Sequence, residues 1–207
     1  MTELRACFLG DSYVLGVGDE AALGWPGRVT AAALARGCRL TAYNLGIRGQ
    51  AGFEILARAP AEVGVRLAGG DARALIIAFG TNDLRLARPL AESLGALEGL
   101  LVLARSLDAT PFVVSPVRRV GATDRHLAEL SDGMARTAAG AGAAWLDVRE
   151  AGVDWKLWWR EARMRDGAHP GAASYSAYAE AFDAWPDWRA WAQAAKGGRT
   201  HKPEELP

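Results

Sequence analysis

Ser12, Gly49, Asn82, Asp166 and His169 are residues whose types and order could carry acyl transfer. They fall in four short blocks: Gly10-Asp11-Ser12, Asn44 to Gly49, Gly80-Thr81-Asn82-Asp83, and Asp166-Gly167-Ala168-His169-Pro170. A serine hydroxyl becomes a nucleophile when a base takes its proton, and imidazole is the usual base near neutral pH. An Asp three residues before a His on a turn can accept from one ring nitrogen and leave the other for the serine. A glycine N–H and an Asn side-chain amide can donate to an oxyanion. Each block alone has a plainer reading. Gly-Asp-Ser is an ordinary turn, and Asn82 or Asp83 could cap the next segment. A lone His before a helix is usually a surface residue, but the offset of three to Asp166 reverses that preference. Asp83 is expected to have a structural role or to pair with an arginine such as Arg85.

Other chemistries find less support. His126 falls in the first turn of an expected helix and reads as solvated, and His201 lies near the C-terminus. With three dispersed histidines and no cysteine cluster, neither a metal nor another cofactor is expected. Cys7 and Cys38 are the only two cysteines, and buried free thiols are the favoured reading over a disulfide. Gly16-Val17-Gly18 lacks the third glycine of a dinucleotide fingerprint, and no Walker loop is present. Lys plus Arg equals Asp plus Glu at 24 each, which argues against a nucleic-acid footprint. No apolar run approaches a membrane span, and the N-terminus shows no export signal, so a cytoplasmic location is expected.

The positioning elements are strands alternating with helices. Strands are expected at Arg5–Leu9, Arg39–Leu45, Ala74–Phe79, Pro111–Ser115 and Ala143–Asp147, each brief and apolar on both faces. The first helix lies between Pro26 and Arg36-Gly37. A second runs from Phe53 to Ala68, where Pro60 marks a kink or a break. A third starts near Pro89 and carries Leu90, Leu94, Leu97, Leu101 and Val102 as a buried stripe. A fourth starts near Asp124, a candidate N-cap, with Leu127, Leu130 and Met134 on one face. The last follows Gly171 and turns Tyr175, Tyr178, Ala179 and Phe182 inward. This alternation implies right-handed β-α-β units, hence an α/β chain with a flavodoxin-like five-stranded parallel sheet of order 2-1-3-4-5. One domain is expected over 1–195, with a flexible polar tail over 196–207. Ser12 then stands at the carboxyl end of the first strand, where open α/β sheets bind ligands.

These blocks resemble the SGNH hydrolase family, also called GDSL-type esterases and lipases, from Gly10 to Pro170. The resemblance implies a three-layer α/β/α sandwich and an ester hydrolase with an acyl-enzyme intermediate. It implies Ser12 as nucleophile, His169 as base and Asp166 as its orienter. It also implies an oxyanion hole of the Ser12 and Gly49 amides and the Asn82 side chain. Gly46 is a rival for the oxyanion glycine; Gly49 is preferred because the family glycine falls a few residues after the strand-end Asn. Tyr13 departs from the family's common Leu and is expected to pack beside the nucleophile. Arg48 stands where small residues are common; it either faces the pocket, favouring an anionic or sugar-like substrate, or is solvated.

The expected substrate is a short-chain or acetyl ester of a small molecule or carbohydrate, since no lipase-like lid segment is evident. Two alternatives remain: acyl transfer to an acceptor other than water, and an inactive ligand-binding module. Trp155, Trp158 and Trp159 could wall a substrate pocket, but core packing is the preferred reading. Trp185, Trp188 and Trp191 are expected to dock the last segment, and Trp25 has no assigned direction. No nucleic-acid or membrane partner is expected, and the sequence does not fix the oligomeric state.

Overall fold

A computed structural model describes residues 2–117 and 124–194. The side chain of Asp124, His201 and the tail over 196–207 lie outside the described residues. Five strands form one parallel sheet: β1 (Leu4–Gly10), β2 (Leu40–Gly46), β3 (Ala72–Ala78), β4 (Ala109–Val114) and β5 (Ala144–Leu146). Their order is β2-β1-β3-β4-β5, as the alternation of elements predicts. The register pairs Gly10 with both Gly46 and Ala78, so the carboxyl ends of β1, β2 and β3 finish level.

Side chains alternate across this sheet as strand geometry requires. Leu4, Ala6 and Phe8 face one layer, built by α2 (Gly24–Ala35), α7 (Trp155–Arg163), α8 (Ala172–Ala184) and α9 (Pro186–Ala194). Cys7 and Leu9 face the other, built by α3 (Gly52–Leu67), α5 (Leu90–Ser106) and α6 (Asp124–Gly140). Two short helices, α1 (Ser12–Leu15) and α4 (Thr81–Arg85), sit directly on the ends of β1 and β3. No helix among the described residues is long and apolar enough to cross a membrane.

Several expectations change. β2 is an edge strand, with Thr41 and Asn44 exposed, so it is not apolar on both faces. Pro60 neither breaks α3 nor divides it; the helix runs unbroken through it. On α5 the inward stripe is Ser93, Ala96, Leu97, Leu100, Leu101 and Ala104. Leu90 and Val102 are 42% and 63% exposed, because one begins the helix and the other lies off that face. Leu127, Leu130 and Met134 are buried as predicted, and so are the inward residues of α8. Cys7 and Cys38 are free and buried, and burial pushes the Cys7 thiol up to about 12, which keeps it unreactive.

The tryptophans resolve as packing. Trp158 is fully buried, with its ring 5.6 Å from those of Tyr13 and Tyr175, and Trp155 and Trp159 pack against the same cluster. Trp185, Trp188 and Trp191 all edge onto Phe112 and fasten α9 to the sheet. Trp25 turns into the core, 5.3 Å from Phe8 and 5.0 Å from Phe182.

Candidate active site

Ser12 opens α1 immediately beyond β1. Asp11 caps that helix, its Oδ1 accepting from the Tyr13 amide at 2.9 Å. Gly10 is required by close approach: a Cβ there would stand 2.1 Å from the Ala78 carbonyl oxygen. The chain therefore leaves the sheet tightly, and the Ser12 side chain meets the loop before α8.

That loop is an Asp-centred turn. Asp166 Oδ1 accepts from the amides of Ala168 at 3.0 Å and His169 at 2.9 Å, and Gly167 takes the left-handed conformation between them. The same carboxylate reaches the His169 ring, Oδ2 to Nδ1, at 2.6 Å. The opposite ring nitrogen, Nε2, lies 2.8 Å from Ser12 Oγ. Burial raises the Asp166 pKa, but hydrogen bonds from His169 and Ala168 outweigh it and hold the carboxyl well below the usual carboxylate range. It is therefore charged at neutral pH and fit to orient an imidazole.

Arg48 reaches this carboxylate too, Nη2 to Oδ2 at 3.1 Å, while its side chain stays 61% exposed. It is thus neither simply solvated nor only a pocket wall. Tyr13 lies behind the histidine, buried, with its ring between Trp158 and His169. Gly18 gives way to the same loop, since a Cβ there would stand 2.4 Å from the Pro170 carbonyl oxygen.

The two candidate oxyanion glycines differ sharply. Gly46 N–H donates to Asn44 Oδ1 at 3.0 Å, and a Cβ on Gly46 would overlap the Leu15 nitrogen at 2.1 Å. Its role is to let α1 lie against β2. Gly49 has a φ of 86°, and nothing lies within 4 Å of where its Cβ would stand. Its carbonyl accepts from Arg85 Nη2 at 3.5 Å.

Asn82 is the second residue of α4, whose N-cap is Gly80 with a φ of 120°. Its Nδ2 donates to the Gln50 carbonyl at 3.0 Å and to Asp11 Oδ2 at 3.2 Å, and its Oδ1 accepts from Arg85 Nε at 3.0 Å. Arg85 therefore pairs with Asn82, not with Asp83. Asp83 instead serves the structure, accepting from the Gly52 amide at the start of α3 and from Ser93 Oγ at 2.8 Å. Asp11 is enclosed beneath these groups, and burial pushes its carboxyl up to about 7, with Asp83 adding to the effect.

The structure brings Ser12, Asp166 and His169 within hydrogen-bond distance of one another in series, and around them stand Asp11, Gln50, Arg58 and Arg85, to which the sequence reading gave no part in the site. Isolated polar residues on helices and turns carry no spacing signal for contacts made across the chain. His126 is exposed on α6, as expected. Among the described residues no group of three His, Cys, Asp or Glu could hold a metal ion. A cavity of about 250 Å³ lined by Asp83, Leu84, Arg88, Leu90 and His126 includes neither Ser12 nor His169.

The GDSL-like lipase/acylhydrolase family model matches residues 8–177. No curated protein matches the chain at the sequence level. Among solved structures the chain is similar to TesA, at 21% identity and a TM-score of 0.75, covering 91% of this chain and 99% of that one. It is similar to the acetylxylan esterase Axe2 of Geobacillus stearothermophilus at 18% identity and a TM-score of 0.70, covering 98% and 97%. It is also similar to the psychrotrophic esterase EstA of Pseudoalteromonas sp. at 17% identity and a TM-score of 0.72, covering 90% and 98%. At such identities these likenesses speak for the fold.

Proposed function

The chain belongs to the GDSL-like lipase/acylhydrolase family, and on that footing we propose that it is a serine ester hydrolase acting on short-chain or acetyl esters of a small molecule or carbohydrate. The reading rests on one observation, the 2.8 Å separation of Ser12 Oγ and His169 Nε2 with Asp166 at 2.6 Å behind the ring.

In this reading His169 Nε2 takes the Ser12 proton as Oγ attacks the ester carbonyl. Asp166 holds the ring and stabilises the imidazolium without itself being protonated. The oxyanion forms among the Ser12 amide, the Gly49 amide and Asn82 Nδ2. Collapse expels the alcohol, which leaves with the proton from His169, and an acyl group stays on Ser12. Water repeats the sequence: His169 takes a proton from it, the hydroxide attacks the acyl carbon, and Ser12 recovers its proton. Asn82 Nδ2 has both hydrogens engaged at rest, and the longer bond, to Asp11, is the cheaper one to exchange for an oxyanion.

Ser12→Ala tests this directly. The variant is expected to lose p-nitrophenyl acetate hydrolysis, and the parent protein to be labelled at Ser12 by a fluorophosphonate. Hydrolysis surviving in Ser12→Ala would remove Ser12 from the mechanism. A series of p-nitrophenyl esters from acetate to decanoate is expected to favour the shortest; a rising series overturns the short-chain assignment.

A further inference from the structure

Arg58 stands on α3 with its side chain only 13% exposed and its head under the site. Its Nη2 donates to the Gly10 carbonyl at 3.1 Å and the Leu45 carbonyl at 2.7 Å. Its Nε donates to Gln50 Oε1 at 2.6 Å, and its Nη1 to Glu62 Oε2 at 3.3 Å. Four of the donor–acceptor vectors of one rigid guanidinium are thereby fixed.

The acceptors are not scattered. Gly10 ends β1, two residues before Ser12. Leu45 is the penultimate residue of β2, four before Gly49, and Gln50 directly follows Gly49. The Gly10 carbonyl also accepts from Ile47 N at 3.1 Å, which ties the start of the Gly49 loop to the same oxygen. Gln50 then passes the linkage on, because its own carbonyl accepts from Asn82 Nδ2 at 3.0 Å. Each donor of the oxyanion hole read above is thus connected to Arg58 through a few bonds of chain or one further hydrogen bond.

We propose that Arg58 is a positioning residue, which fixes the Gly49–Gln50 loop and the strand end before Ser12 in one mutual geometry and so sets the oxyanion hole. The inference rests on the functional reading of Ser12, Gly49 and Asn82 given above. Its physical basis is that an oxyanion donor acts only within a few tenths of an ångström of its place, and a small misplacement costs rate rather than binding. A salt bridge to Glu62 alone would need neither the Gly10 nor the Leu45 carbonyl. The planar fork matters as much as the charge, since a lysine ammonium at the end of a flexible stem cannot serve Gln50 Oε1 and two carbonyls from one plane.

The test uses Arg58→Lys, Arg58→Gln, Gln50→Ala, Asn82→Ala and the Arg58→Gln/Asn82→Ala double variant on p-nitrophenyl acetate. Arg58→Gln and Arg58→Lys are expected to lower kcat by roughly 10- to 100-fold with KM within about two-fold, as loss of transition-state geometry requires. Gln50→Ala, which cuts only the link to the loop, is expected to lower kcat by a smaller factor and serves if Arg58→Gln fails to fold. The double variant is expected to lose little more than Asn82→Ala alone, because both changes damage one device. Full multiplication of the two losses, rescue by lysine, or a change confined to KM each overturns the proposal. Amide hydrogen exchange across residues 46–52 gives a readout independent of turnover. It is expected to quicken in Arg58→Gln, and unchanged exchange defeats the positioning role. Failure of the parent reading looks different: the protein carrying Arg58 would itself neither hydrolyse ester nor take a fluorophosphonate on Ser12.

Discussion

The Tyr13 ring lies 5.3 Å from the His169 imidazole, and its hydroxyl donates to the Ala168 carbonyl at 3.1 Å. One side chain thus supports both the His169 ring and the turn that presents it, with Trp158 packed behind. Tyr13→Phe removes the hydroxyl contact and keeps the ring. A stability loss of about 0.5–1.5 kcal/mol is expected, typical of one intramolecular hydrogen bond. A several-fold fall in kcat should accompany it as the turn loosens. Tyr13→Leu should fall further because the ring contact to His169 goes as well. Thermal unfolding and steady-state kinetics decide this; wild-type values for both variants would mean that Tyr13 is only filler.

Arg85 fixes the orientation of the Asn82 amide. Its Nε donates to Oδ1, while the two acceptors at Nδ2 leave no place for a flipped amide. Arg85 is exposed, so replacing it should cost little stability. Arg85→Met is expected to lower kcat by up to about ten-fold with an unchanged melting temperature, against roughly 10²–10³ for Asn82→Ala, the usual loss of one oxyanion donor. Equal kcat in Arg85→Met and the parent protein would show that Asn82 holds its orientation unaided.

Much of this arrangement was legible because it is local. Asp166, Gly167 and His169 form one turn whose hydrogen bonds run within four residues, so spacing alone predicts their meeting. The strand order follows from alternation, because crossover handedness leaves few topologies. What was hidden depends on distant partners. A helix of four residues such as α1 has no periodicity to read, and α4 with five is no better. Leu90 and Val102 fit a helical stripe by spacing, yet the face that turned inward was chosen by the sheet beneath. Arg58 reads as a surface residue until Gly10, Leu45 and Gln50 are seen around it.

Asp11 is expected to make the stability of the fold depend on pH. Burial, with Asp83 adding to it, raises its folded pKa from an ordinary 3.8 to about 7, against hydrogen bonds from Tyr13 and Asn82 that lower it. The folded state therefore binds the proton more tightly than the unfolded chain. The resulting stabilisation is fully present below the unfolded value, declines as pH rises, and is gone above the folded value. A displacement of that size corresponds to on the order of 4 kcal/mol across the window. Relative to Asp11→Asn, the parent protein is expected to lose stability between about pH 4 and pH 7, with a flat difference above. Urea unfolding of both proteins at several pH values measures it. A constant difference from about pH 4 to 8 would remove Asp11 from the titration.

Gly46 and Gly49 lie three residues apart and should fail in different ways when each becomes alanine. At Gly46 the added Cβ would overlap the Leu15 nitrogen at 2.1 Å and the Leu15 Cα at 2.6 Å, both backbone atoms that no rotamer change can move aside. Either α1 shifts, carrying Ser12 with it, or the sheet end opens. Gly46→Ala is expected to lose at least about 3 kcal/mol, the upper end of ordinary overpacking, with activity falling in step with folding. At Gly49 there is room, so only the left-handed backbone resists, at roughly 1–2 kcal/mol. Gly49→Ala should therefore fold, keep its fluorophosphonate-reactive serine, and lose kcat because relaxing φ turns the amide away from the oxyanion. A Gly49→Ala protein with full kcat would transfer the backbone donor role away from Gly49, and a stable Gly46→Ala would show that α1 is free to move off β2.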